Sequence, residues 1–146
     1  LDSSIPLATG EGGPEQIAWL EEALAASTAR WKVGLMHQPA YSSGHHGSHL
    51  QIREVVQPLF ARHGVDIVFT GHDHHYERTT PQDGVVWIVS GAGAKLTRVD
   101  GADFTAHAES TLQFMLVRID GDVMDVRAIT TDGTVIDQVT LRARAG

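Results

Sequence analysis

Two short apolar runs, Trp31–Met36 (WKVGLM) and Val65–Thr70 (VDIVFT), each open into a loop carrying histidine, and an amphipathic segment separates them. No other feature narrows the fold so far. Short apolar runs bounded by turn residues read as buried strands. Between them, His49 to about His63 places Ile52, Val55, Val56, Leu59 and Phe60 on one face at helical spacing, with Ser48 available as a cap. Pro58 lies inside that pattern and is expected to kink or split the helix. Strands joined through a helix run parallel.

The flanking segments extend the pattern. Within the Gly-rich stretch ATGEGGPEQ, Pro14 suits a first helical turn, with Ile17, Leu20 and Leu24 on one face to about Ser27. GVVWIVSGAGA reads as a further strand running into a glycine turn. From Thr111 the chain alternates apolar and polar residues, with turns at Asp120-Gly121 and Asp132-Gly133. That is an antiparallel β-meander. The expected class is α/β (α+β layered): a parallel strand–helix–strand–helix–strand front part, 1–95, followed by antiparallel strands, 96–146.

Composition excludes several roles. The chain has 146 residues, enough for one domain with a core, and a net charge of −7 without basic blocks, which argues against nucleic acid or an anionic membrane as partner. No apolar run approaches the roughly 20 residues that span a bilayer. Cysteine is absent, so a metal would need His, Asp, Glu, Asn or Tyr ligands. The start, LDSS, has neither an initiator Met nor a signal-peptide pattern and reads as a cut inside a longer sequence, so localisation stays open.

Three of the nine histidines fall within four residues, in GHDHH. In extended backbone, residues two apart share a side, so His72 and His74 can face one point while Asp73 and His75 face away. His37 follows the other buried run. Parallel neighbours would bring both strand ends to one sheet edge, where open α/β sheets bind ligands. Imidazole is a common ligand for transition metals near neutral pH. A lone loop histidine is usually just solvated. Two histidine loops at matching strand ends shift the balance toward a metal site of His37, His72 and His74.

At this point the sequence resembles the calcineurin-like metallophosphoesterases, in their purple acid phosphatase-like form. The resemblance is carried by LDSS, WLEEAL, MHQPAYSSGHHGS, GHDHHYERT and VVWIVSGAGA. It covers about residues 1–95, and the C-terminal strands more loosely. It implies the C-terminal half of that family's αββα sandwich and hydrolysis of phosphate mono- or diesters by metal-activated water. It implies that His37 and His72 bind one ion of a dinuclear pair and His74 the other, with zinc, iron or manganese as candidates. His46, or its neighbour His45, would contact the phosphate and protonate the leaving oxygen. Tyr41 and Arg78 are further candidates for substrate contact, and Asp73 and Tyr76 for support of the ligands. A secreted or periplasmic setting fits the resemblance.

The family's remaining ligands, an Asp near its first strand, a GD motif and GNH, are absent here. Without a bridging carboxylate, two ions would be compensated only by neutral imidazoles, which is electrostatically poor. One ion is therefore expected for this chain alone, and two if an N-terminal half is supplied. The uncovered sheet edge and face are expected to lead to self-association or to a companion N-terminal half. The alternative function is a non-catalytic half-domain that binds metal and phosphate, or an assembly subunit. A structural β-rich module with incidental histidines is a third. His75, His49, His63 and His107 read as solvated, Tyr76, Glu77 and Arg78 as a local ion-paired group, and Trp19, Trp31 and Trp87 as core. A Ser-His-Asp reading through Ser42, Ser43 or Ser90 lacks the nucleophile-elbow pattern.

Overall fold

The computed structural model describes residues 1–144. Its first sheet has five strands in the order β1 (Val33–Leu35), β2 (Ile67–Thr70), β4 (Val86–Ser90), β3 (Tyr76–Thr79) and β5 (Thr105–Glu109). The first three run parallel, and β3 is antiparallel to both its neighbours. A second sheet, β6 (Gln113–Asp120), β7 (Val123–Thr130) and β8 (Val135–Arg142), is the expected meander. The mixed α/β class follows the sequence pattern.

Helices α1 (Gly13–Ala26) and α2 (Leu50–Arg62) cover one face of the first sheet. Leu20 from α1, and Ile52, Val56, Leu59 and Phe60 from α2, pack with Val68 and Trp87. Trp87 is buried, and its indole N–H donates to the Gln57 side chain at 2.7 Å, which keeps a buried amide satisfied. The other face carries the second sheet. Ile67, Tyr76, Val86 and Ile88 meet Met124, Val126 and Ala128 across the interface. Each fully buried Ile, Val or Met side chain there contributes roughly 1.5–3 kcal/mol.

A polar clamp also joins the two sheets. The Tyr76 hydroxyl donates to Asp137 Oδ2 at 2.7 Å, and Arg78 donates to both oxygens of Asp137, at 2.6 and 3.1 Å. The pairing is fork to fork, and both side chains are largely removed from water.

Several local expectations are corrected. Residues 1–12 hold no strand; Asp2 instead caps a turn, accepting from the Ser4 amide at 2.9 Å. The run Trp31–Met36 is not a buried strand: β1 is three residues long, sits at the sheet edge and exposes Val33 and Leu35. The cap of α2 is His49, whose ring accepts from the Ile52 amide, because Ser48 is engaged by Ser42 and Arg53. Pro58 leaves α2 unbroken, since it lies on the exposed side, where water can serve the carbonyl it orphans. Trp19 is 59% exposed, and Trp31 is half-buried with its indole N–H on the Gly121 carbonyl. Strand β3 lies inside what reads as loop, and β5 lies in the first sheet, so the change of sheet falls between β5 and β6.

Candidate functional site

The parallel strands β1, β2 and β4 all end at one edge of the first sheet. The chain leaves them at His37, Gly71 and Gly91. These exits are stitched together: the Gly71 amide donates to the His37 carbonyl at 2.9 Å, and the Gly91 amide to the His75 carbonyl at 3.3 Å. A Cβ on Gly91 would stand 2.1 Å from the Asp73 carbonyl oxygen, so only glycine allows β4 to pass the histidine loop.

Three imidazoles meet at this edge. His37 Nε2 and His72 Nδ1 are 3.1 Å apart, and the His46 and His72 rings lie 4.5 Å between centroids. His45 follows at 4.9 Å from His46. His72 has φ 65°, the left-handed region that non-glycine residues rarely take. Partial burial lowers its pKa below the ordinary histidine value, and potential charge on His46 and His37 lowers it further. His72 is thus biased toward the neutral imidazole, the form that ligates metals.

Residues 72–75 are bends rather than extended chain, so the alternation argument does not apply as it stands. Asp73 and His75 do turn inward, and His72 and His74 stay half-exposed. His74 is held by its backbone, which exchanges hydrogen bonds with Thr97 at 3.2 and 2.9 Å.

Beneath the histidines lies a buried polar layer. Asp73 accepts from the Ser42 hydroxyl at 2.5 Å and from the His46 amide at 2.9 Å. Glu77 accepts from the Ser43 amide and hydroxyl, from Thr105 and from His75. His75 is wholly buried, not solvated, and its Nδ1 has no partner among the described residues. Gly44 makes room for that ring: a Cβ there would stand 2.2 Å from His75 Cε1. Asp73, His75 and Glu77 thus fasten the histidine loop to the Ser42–His46 loop. The sequence reading missed this layer: it took His75 as solvated and Glu77 as part of a local ion-paired group.

A sequence model described as calcineurin-like phosphoesterase matches residues 3–76. The chain belongs to that family. Among curated members, it is 38% identical over 82 residues to purple acid phosphatase 17 of Arabidopsis thaliana, covering 56% of this chain and 24% of that protein. Human tartrate-resistant acid phosphatase type 5 is 34% identical over 79 residues, covering 53% and 24%. The chain thus spans about a quarter of the length of these relatives. In three dimensions it is similar to purple acid phosphatase PPD1 from yellow lupin, with TM-score 0.81 at 24% identity over 88% of this chain and 28% of that one. GAP50, the anchor in the inner membrane complex of Plasmodium, superposes with TM-score 0.88 at 19% identity over 99% and 48%. Both likenesses concern the fold.

Set beside the calcineurin-like phosphoesterase motifs, two of the sequence-based candidates stand elsewhere. Arg78 does not face the histidine edge, because its guanidinium is committed to Asp137 between the sheets. Tyr41 is buried, with its ring against Trp87 and Phe104 and the Arg53 guanidinium 4.2 Å from its centroid. Tyr76 supports the sheet interface, and burial raises the pKa of its hydroxyl, which stays protonated as a donor. Asp73 supports the His46 loop through backbone and hydroxyl rather than through an imidazole.

The fit to metal is partial. His37 and His72 supply convergent nitrogens, yet among the described residues no group of three or more His, Asp or Glu side chains is arranged to hold an ion. Among the described residues, no helix is long and apolar enough to cross a membrane.

Proposed function

We propose that this chain is the phosphate-handling part, the C-terminal half, of a metallophosphoesterase domain that hydrolyses phosphate mono- or diesters. The observation that carries the reading is the meeting of His37, His72 and His46 at the carboxyl edge of the parallel strands. His46, or His45 beside it, binds the phosphate and, when protonated, donates to the leaving oxygen. The buried Asp73 anchors the His46 backbone and so places the residue beside His72. His37 and His72 would hold one ion of zinc, iron or manganese class, and His74 would contribute to a second. Such an ion supplies an activated water and a Lewis acid.

The carboxylates that complete a dinuclear site would come from a companion N-terminal half. Two open surfaces support that partner. Strand β1 ends its sheet with Val33 and Leu35 exposed beside Trp19, and β6 ends the other with Phe114, Leu116 and Ile119 exposed. A second reading, a non-catalytic subunit that binds phosphate or assembles, is favoured by the incomplete donor set.

The test is to strip the chain with chelator, reload it, and assay a chromogenic phosphate ester with and without an N-terminal half bearing the GD and GNH motifs. Hydrolysis that needs both halves and disappears in His46→Ala supports the first reading. Bound metal without turnover in the reconstituted pair favours the second. No metal uptake under any condition sinks the metal site.

A further inference from the structure

Next to the histidine cluster, with His45 in its wall, is a pocket of about 400 Å³ whose Lys95 and Arg98 the proposed phosphoesterase chemistry does not use. Pockets of about 300–1,000 Å³ suit small-molecule groups. Ser43, Gly44 and His45 form one wall, and Lys95, Thr97, Arg98 and Asp100 the other. The second wall comes from the segment between β4 and β5, and it is tied down on two sides. Val99 bridges to Gly44, and the Gly101 amide donates to the Ser43 hydroxyl at 3.0 Å. Thr97 exchanges backbone and hydroxyl hydrogen bonds with His74, and its carbonyl accepts from Ser110 at 2.8 Å. The pocket is therefore fastened to both histidine loops.

Its charge runs against the rest of the molecule. The chain carries −7, yet Lys95 and Arg98 stand together here beside His45. Asp100 accepts from Arg98 Nε at 2.6 Å, with both side chains largely exposed, and no further hydrogen bond reaches the terminal nitrogens among the described residues. An arginine held by one nitrogen keeps its other donors for an anion.

We infer that this pocket binds a second phosphate on the leaving-group side of the substrate, so that the preferred substrates are diphosphates, cleaved at the P–O–P anhydride with phosphate as leaving group, or bisphosphorylated esters. The inference rests on the reading of His45 and His46 as phosphate-binding residues. A substrate whose first phosphate lies at His46 would extend past His45, with its second phosphate between Lys95 and Arg98.

Titration of the chain with inorganic orthophosphate and inorganic pyrophosphate, followed by the NMR signals of the histidine rings, tests this. Pyrophosphate is expected to bind about tenfold more tightly, the factor that one added charge-assisted hydrogen bond contributes. Lys95→Gln/Arg98→Gln should abolish that preference and leave orthophosphate binding unchanged. Arg118→Gln/Arg142→Gln removes the same charge from the other sheet and should preserve the preference. Equal affinity for the two anions, or a preference that survives in the pocket variant or falls equally in the distal one, overturns the pocket. If orthophosphate shifts no histidine, or His46→Ala binds as wild type does, the phosphate site itself is wrong and the pocket falls with it.

Discussion

The carboxylate of Glu77 accepts both the backbone N–H and the hydroxyl of Ser43, each at 2.8 Å, across 34 residues of sequence. The histidine loop that runs into β3 and the Ser42–His46 loop are thereby one mechanical unit. Glu77→Ala would leave the buried Ser43 amide and His75 without their acceptor and is expected to cost about 2–4 kcal/mol. Chemical denaturation at neutral pH measures the loss, and Glu77→Gln, which keeps one carbonyl, should lose less.

The same residue sets an acid limit. Burial pushes the Glu77 carboxyl up, but hydrogen bonds from His75, Ser43 and Thr105 prevail and hold it below the ordinary 4.5. A depressed folded-state pKa adds stability that is fully present above the unfolded value and is lost as pH falls through the folded one. Stability should therefore decline below about pH 4.5. Denaturation midpoints between pH 7 and pH 3 should show a shallower decline in Glu77→Gln, and an unchanged slope would refute this account.

The Asp137 clamp makes a separate prediction. Asp137→Ala leaves the Arg78 guanidinium largely buried without its counter-charge and should destabilise by about 3–5 kcal/mol. Burial raises the Asp137 pKa, yet Arg78 and Tyr76 outweigh it and keep the carboxyl ionised. Because the clamp lies between the sheets, the variant should weaken protection of amides in β3 and β8 from hydrogen exchange. Orthophosphate binding by the folded fraction should stay unchanged.

Gly44→Ala tests the packing under the histidines. Its Cβ would meet the wholly buried His75 ring at 2.2 Å, so ring and loop must part. A cost of about 1–3 kcal/mol is expected for such overpacking, along with displaced His45 and His46 ring signals in NMR. Gly47→Ala, in open space but at φ 72°, pays only the backbone term and should leave those signals in place.

The open edge at β1 predicts association. Val33→Lys/Leu35→Lys places charge on an exposed apolar edge and should shift the chain toward monomer in sedimentation velocity. The variant should also bind a supplied N-terminal half more weakly.

Much of this architecture was legible from residue order alone. The two parallel strands, the amphipathic helices and the meander follow from apolar spacing and from turn residues such as Asp120-Gly121. The edge position of β1 was not, because Val33 and Leu35 are as apolar as core residues and their exposure depends on which strand lies beyond them. Arg78 illustrates the same limit: its partner Asp137 lies 59 residues away in another sheet, beyond the reach of local pattern. At the candidate site, the grouping of His37 with His72 could be anticipated from strand ends. The inward turn of His75 could not, since it depends on the space that Gly44 leaves open.

His72 sits at φ 65°, where glycine would rest more comfortably. Holding a side chain in that region costs roughly 1–2 kcal/mol. Were the imidazole idle, drift toward glycine at this one position would stabilise the fold without disturbing any buried contact. Position 72 is thus a gauge of use: in any lineage that ceased to need the ring, it is among the first places where a stabilising replacement could be accepted.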